Sequence, residues 1–188
     1  GDTAFIRPLT VDDKAALAEF HRQQSPESIY RRYFSPKPEL NDKELDHFTA
    51  VDMVDRAALV VESHDEFIAW GSYERWPGRN EAEAAFMVAD GRQGEGIATL
   101  LLEHLAAIAR SNGIERFTAE VLGDNRAMLA VFAKAGWPLQ RRFDGDPNVL
   151  GRSLRRDDSF HTIVGVMPAA FGFPINHRLW IPLRADAE

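Results

Sequence analysis

Asp90-Gly91-Arg92-Gln93-Gly94-Glu95-Gly96-Ile97-Ala98-Thr99 stands between an apolar run at 84–88 and a segment in which Ile97, Leu101, Leu105 and Ile108 recur at helical spacing until Asn112-Gly113. The run reads as a short buried strand and the segment as an amphipathic helix, so the glycines occupy a strand-to-helix turn. Glycine adopts positive φ and lets a ligand approach the backbone, while a first helical turn offers unpaired N–H groups and partial positive charge. Such a corner binds phosphate. It is equally an ordinary turn feeding a helix, because Gly-x-Gly alone is a weak signal. Two phosphate loops are excluded. A Walker loop needs Gly-Lys-Ser/Thr where Ile97-Ala98 follow Gly96, and Thr99 stands where the dinucleotide fingerprint has its third glycine.

Upstream, 4–9 reads as a strand ended by Pro8, and Thr10-Val11-Asp12-Asp13 as a helix cap preceding a face with Leu17 and Phe20. Ser25-Pro26-Glu27 starts a second helix carrying Ile29, Tyr30, Tyr33 and Phe34, broken by Pro36 and Pro38. Asn41-Asp42-Lys43-Glu44 caps a third, running to about Phe48. The period then becomes that of strands at 57–62 and 67–76, joined through Ser63-His64-Asp65-Glu66 as a hairpin, and again at 81–88. Beyond the glycine turn and its helix, 116–121 reads as a strand, 125–135 as a helix closed by Gly136, and 137–143 and 161–167 as sixth and seventh strands. With no repeat, low-complexity tract or long linker, residues 1–188 read as a single α+β domain.

Composition narrows the function. The 188 residues contain no cysteine, carry a formal charge of −7 and are 45% hydrophobic, which suits a compact domain with a real core and no disulfides. No apolar run approaches the roughly 20 residues of a membrane span and no signal-peptide pattern opens the chain, so the expectation is a cytoplasmic protein without a membrane partner. The acidic balance argues against nucleic acid and suits a basic partner. His21, His47, His64, His104, His161 and His177 show no metal-ligand spacing, so no metal is expected. No Gly-x-Ser-x-Gly elbow occurs. Arg31-Arg32 and Arg155-Arg156 read as solvated, and Trp70 and Trp76 as packing residues.

Three features together carry a family likeness. Gln93-x-x-Gly96-x-Ala98 resembles the pyrophosphate loop of the GNAT acyltransferase superfamily. Asn125 through Lys134-Ala135-Gly136-Trp137 resembles its Asn…Tyr-x-Lys-x-Gly-Phe helix, with Phe132 where tyrosine usually stands, although Asn125 is also explicable as a plain helix cap. Ser25-Pro26-Glu27-Ser28-Ile29-Tyr30-Arg31-Arg32-Tyr33-Phe34, Val51-Asp52-Met53-Val54-Asp55 and Ala82 to Val88 are similar to the catalytic domain of bacterial Pat-type protein lysine acetyltransferases. The likeness spans about Ile6 to Phe143 and fades over 144–188. Members of that group often carry a regulatory domain whose motifs are not found here, so both a stand-alone relative and the catalytic piece of a larger protein fit.

The resemblance implies a GNAT fold: a mixed, mostly antiparallel sheet of six to seven strands flanked by helices, with a V-shaped splay at the cofactor site. It implies acetyl-CoA as acyl donor, its diphosphate held by Gln93, Gly94, Glu95, Gly96, Ile97, Ala98 and Thr99. Its pantetheine arm is placed along Phe86, Met87 and Val88 and near Asn125 and Phe132. Acetyl transfer needs a neutral amine, yet lysine has a pKa near 10.4 in water, so a base must act. Glu83 is that base by resemblance; on pattern alone it fits either a solvated strand face or, amid Ala84, Ala85, Phe86 and Val88, a desolvated carboxyl of raised pKa. Phe132 cannot protonate the departing thiolate, a role that falls to water. The implied acceptor is a lysine of a protein such as an acyl-CoA synthetase, attacking the thioester directly. A small amine or amino acid as acceptor, and a non-catalytic acyl-CoA sensor, are the alternatives. Asp52 and Asp55 are either turn residues or contacts for a basic acceptor. The apolar stretches 171–175 and 179–183 must cover something: the acceptor side of the cleft, a homodimer interface or a sheet edge.

Overall fold

The computed structural model describes residues 3–122, 125–135, 153–156 and 159–162. The chain divides into two compact units, Gly1–Trp137 and Pro138–Glu188. In the first, strands β1 (Phe5–Pro8), β2 (Arg56–Ser63), β3 (Glu66–Arg75), β4 (Glu81–Val88) and β5 (Arg116–Thr118) form one sheet in the order β1-β2-β3-β4-β5. The first three pairings are antiparallel and β4–β5 is parallel. Among the described residues of the second unit, β6 (Ser153–Arg156) and β7 (Ser159–Thr162) pair antiparallel.

Strand alternation sends successive side chains to opposite faces, and both faces are covered. Ala82, Ala84 and Phe86 of β4 join Leu59 and Val61 of β2 and the fully buried Leu101, Leu102 and Leu105 of helix α4 (Ile97–Ser111) in one core, against which α5 (Arg126–Lys134) also packs. Met87, Trp70, Ala58 and Val60 face the other way. They meet Leu17 and Phe20 of α1 (Lys14–Arg22), Ile29 of α2 (Pro26–Tyr33) and Leu45 of α3 (Asp42–Thr49). Each buried leucine contributes about 1.5–3 kcal/mol of apolar transfer. A layer of helices therefore lies on each face of an open sheet.

The caps are those read from the sequence. Ser25 Oγ accepts from Ser28 N with Pro26 in the first turn, Asn41 and Glu44 form a capping box, and Phe34 ends α2 in a left-handed conformation. His64 and Asp65 take positive φ between β2 and β3, giving the two-residue hairpin loop that matches strand twist. One boundary differs and two expected strands fall largely outside the described residues. The strand expected over 116–121 ends at Thr118, because beyond it no ladder to β4 continues. The strand expected over 137–143 lies outside the described residues, and of 161–167 only residues 161–162 are described, as the end of β7. β6, with the polar run Ser-Leu-Arg-Arg, has no apolar alternation to announce it. Among the described residues, no helix is long and apolar enough to cross a membrane and no side-chain group could hold a metal.

Arg7 ties β1 to the start of α1. Its Nη1 and Nη2 donate to the two Asp13 carboxylate oxygens at 2.8 Å each, and its Nε donates to Glu62 Oε2 at 3.1 Å. These bonds, Arg7 first, hold the Asp13 carboxyl down at about 2, from an ordinary 3.8. A carboxyl depressed on folding stabilises the fold above its unfolded pKa, and that stability is lost as pH falls towards 2. Asp13→Asn should therefore cost on the order of 1–2 kcal/mol at neutral pH, screened because Arg7 is about a third exposed. Urea unfolding should show the wild type converging on the variant between about pH 4 and pH 2; parallel curves across that window would mean the pair contributes nothing.

Candidate active site

The β4–β5 ladder runs only from Glu81↔Arg116 to Glu83↔Thr118, although β4 itself continues to Val88. From Ala84 onward its second edge has no strand partner among the described residues, and the chain at Ala119, Glu120 and Val121 diverges from it. This parting opens a cleft of about 300 Å³. Residues 84–88 form one wall and 119–121 the other, the start of α4 closes one end, and α5 and α2 supply the remaining sides.

At the α4 end, Gly94 and Gly96 both have φ of +86°, a conformation strained for other residues. A Cβ on either would meet nothing within 4 Å, so the torsion rather than crowding requires glycine. Gly96 is the helix N-cap without a side-chain cap, and the N–H groups of Ile97, Ala98 and Thr99 find no acceptor among the described residues. Three donors and the positive end of a fifteen-residue helix thus face open space. Asp90 braces this corner. Its carboxylate accepts from Ser25 N at 2.7 Å and from Ser28 Oγ, and Gln93 Nε2 donates to Asp90 Oδ1, Ser28 Oγ and the Val88 carbonyl at 3.1–3.3 Å. The glycine turn and α2 are one hydrogen-bonded unit.

The structure gathers Glu83, Phe86, Met87, Val88, Gln93, Gly94, Gly96, Ile97, Ala98, Thr99, Asn125 and Phe132 around this single cleft. Glu95 is the exception. Its carboxylate turns to Arg92 Nε at 3.0 Å and it does not line the cleft. Asn125 caps α5, accepting from Met128 N at 3.1 Å, and also lines the cleft. Phe132 stacks obliquely on Phe86, ring centroids 6.2 Å apart, and has no proton to give.

Glu83 lies where two cavities meet. A second cavity, of about 130 Å³, opens on the α2–α3 side of the sheet over Ser72, Glu74, Glu83 and Ala85, walled by Arg32, His47 and Phe48. Arg32, Glu83 and Ala85 line both. Burial pushes the Glu83 carboxyl above the ordinary glutamate range; Glu120 adds to the rise, Arg32 opposes it, and Glu74, its cross-strand partner, adds again. A half-buried carboxyl of raised pKa reached from two sides can take a proton from a group entering by one cavity and reacting in the other.

Sequence reasoning overlooked the α2 contribution. Arg31 and Arg32, read as solvated, both line the cleft, and Arg32 Nε is buried. Helical spacing is the available signal, because Ser28, Arg31 and Arg32 stand at i, i+3 and i+4 and share a face. Trp70 packs in the core; Trp76 is partly exposed, donating to Thr118 Oγ1 at 3.2 Å. Asp52 is a turn residue, accepting from Val54, Asp55 and Arg56 N–H groups at 2.9 Å each, while Asp55 pairs with Arg75. Neither aspartate lines either cavity.

The family model described as Acetyltransferase (GNAT) family matches residues 19–137. Among solved structures, the GNAT domain of S. lividans PAT is 46% identical, with a TM-score of 0.72 over 77% of this chain and 86% of that one. Acetyltransferase PA5475 of Pseudomonas aeruginosa is 27% identical over 81% of this chain and 84% of its own length. Acetyltransferase Pat of Mycolicibacterium smegmatis is 31% identical over 72% of this chain, which spans 41% of that relative.

One wall of the cleft is set by a glycine on the neighbouring strand. A Cβ on Gly71 would lie 2.6 Å from Phe86 Cδ1, and Gly71 and Phe86 are register partners. Gly71→Ala should displace the Phe86 ring and destabilise the fold by about 1–3 kcal/mol in urea unfolding. Adding Phe86→Leu should recover part of the loss, since the two changes share one contact. Additive losses would show that the crowding is relieved elsewhere.

Proposed function

Because the chain belongs to the GNAT acetyltransferase family, we propose that it moves the acetyl group of acetyl-CoA onto a primary amine, with Glu83 as general base and a protein lysine as acceptor. The observation that carries this reading is the position of Glu83, on the walls of both cavities with a carboxyl of raised pKa. The lysine acceptor follows from the resemblance to Pat-type enzymes. It is supported by 46% identity to the GNAT domain of S. lividans PAT.

The residues present fit the donor. Bound acetyl-CoA supplies an acetyl thioester. The uncapped first turn of α4, with Gly94 and Gly96, offers N–H donors for its diphosphate, and the unpaired edge of β4 offers the backbone groups of Phe86 and the Val88 N–H to an amide-bearing arm, Met87 turning its own to β3. An N–H on that edge is suited to the thioester oxygen as it gains charge. The amine enters from the second cavity as an ammonium ion and gives a proton to Glu83. Its lone pair then forms the N–C bond, the C–S bond breaks with the electron pair leaving on sulfur, and the nitrogen gives up its second proton to water to become the neutral amide. A thiol pKa near 8.5 makes this leaving group tolerable, and water protonates it, since Phe132 cannot.

The direct assay incubates the protein with acetyl-CoA and a lysine acceptor such as an acyl-CoA synthetase, follows thiol release and locates the acetyl group by mass spectrometry. Glu83→Gln should lower turnover about a hundredfold or more while leaving acetyl-CoA affinity nearly unchanged. The wild type should also lose activity as pH falls through the raised Glu83 pKa, because a protonated carboxyl accepts nothing; the variant should lack that limb. A carboxyl raised on folding withholds stability once ionised, so Glu83→Gln should be no less stable at neutral pH. Equal turnover in wild type and variant would remove Glu83 from the mechanism.

Gly96→Glu tests the donor corner separately. It places a Cβ at φ +86°, a strain of about 1–2 kcal/mol, and a carboxylate at the helix start. Calorimetry should show acetyl-CoA binding abolished in a protein that still folds. Unaltered affinity would place the diphosphate elsewhere.

A further inference from the structure

Arg32 has no hydrogen-bonded or salt-bridged anion among the described residues, although its charge is felt by the Glu83 carboxylate. Its Nε is buried with no hydrogen-bond partner, and its guanidinium lies over the ring of Tyr33 at 4.9 Å and that of Trp70 at 5.4 Å. Aromatic faces compensate a guanidinium partly; they leave its in-plane donors unused. The Arg32 side chain lines both cavities, as does Glu83.

The other charges of the second cavity are already committed. Glu74 Oε2 lies 2.9 Å from His47 Nε2, and His47 Nδ1 lies 3.0 Å from Arg56 Nη1. Arginine can only donate, so Nδ1 accepts and His47 carries its proton on Nε2, giving it to Glu74. The far side of Arg56 donates to the Ala50 carbonyl at 2.7 Å. What remains outside any hydrogen bond or ion pair among the described residues is one carboxylate, Glu83, and one guanidinium, Arg32.

Resting on the amine-acetylating reading above, we propose that the second cavity selects an acceptor bearing a carboxylate beside its reactive amine, the amine going to Glu83 and the carboxylate to Arg32. The planar fork of arginine matches a carboxylate through two parallel hydrogen bonds. A neutral neighbour in its place would shield the guanidinium from water without pairing it, and so would be disfavoured twice. The same chemistry comes from two sources: an acidic side chain next to the lysine of a peptide, or the α-carboxylate of a free amino acid.

The test uses the full chain with acetyl-CoA and reads thiol release for matched acceptors. One arm compares end-capped peptides with a single lysine next to aspartate or asparagine, and the other compares free amino acids with their carboxamides. In at least one arm the carboxylate acceptor should have the lower KM, by about tenfold or more, the scale of a charge-assisted pair. The arm that shows the ratio identifies the source. Arg32→Gln should bring that pair to parity, Arg32→Lys should keep part of the preference, and Arg32→Glu should reverse it towards a lysine-flanked peptide. If wild type acetylates both members of every pair equally, the proposal fails, whatever the variants do. It fails also if Arg32→Gln slows both members alike, which is the mark of a guanidinium that merely supports the fold. Should Arg32→Gln not fold, the wild-type ratio and Arg32→Lys decide. Failure to acetylate any amine would overturn the enzymatic reading and this inference with it, a pattern distinct from acetylation without preference.

Discussion

A parallel pair of strands that stays hydrogen-bonded for three residues and then separates is the constraint on which this site depends. Backbone N–H and C=O groups in a sheet are normally consumed by the ladder. Here β4 spends one edge on β3 along its whole length and leaves the other unpaired after Glu83. Unpaired backbone inside a protein is tolerated only where it faces water or a ligand, so the parting creates the cleft and equips it with donors and acceptors. The last paired residue is also the candidate base. Glu83 is held rigidly by ladders on both sides, and the space begins immediately beyond it.

The same strand separates two chemistries by alternation. Phe86 faces the α4–α5 layer, with Gly71 making room for its ring; Glu83 and Ala85 face the α2–α3 layer, where the second cavity opens. The donor corner and the acceptor side would be independent if nothing joined them. Asp90 joins them, because one carboxylate holds the start of α2 through Ser25 and Ser28 and, with Gln93, the turn that precedes Gly94 and Gly96. Arg32 rides on that same helix. The glycine turn and the side chain that walls the second cavity are therefore anchored to one helix.

Much of this was legible in the sequence, for physical reasons that differ by element. The caps at Ser25, Asn41 and Asn125 are local, decided within four residues, and the glycine turn follows from φ alone. The mixed, mostly antiparallel sheet and the gathering of Phe86, Asn125 and Phe132 came from family resemblance, since periodicity carries no information about which strands become neighbours. The fates of Glu95 and Arg32 were not legible. Glu95 turns to Arg92, three residues earlier in a turn whose spacing does not announce the pair, while Arg32 depends on tertiary packing, its guanidinium lying over the face of Trp70 on a strand distant in sequence. A charge pair in a sequence reads as solvated until the fold lays a ring and a cavity against it. Asp52 illustrates the opposite bias: an aspartate suggestive of a basic partner turns its Oδ1 to three backbone N–H groups of its own turn.

Phenylalanine at position 132 gives the proposed reaction an asymmetric proton inventory. With no acid at that position, the proton taken from the amine cannot be passed to the thiolate through Phe132. Glu83 also opens on the second cavity, where Glu74 sits directly across the ladder and is half exposed, hydrogen-bonded to an equally exposed His47. Burial is the main reason that Glu83 is raised and holds an accepted proton more strongly; the charge of Glu120 adds to it, and that of Glu74 adds least. Arg32 works against them from the other wall. An enzyme needs its base strong enough to take a proton and weak enough to release it, and here opposed charges on α2, β3 and the segment after β5 set that balance, each brought to Glu83 by a different part of the chain.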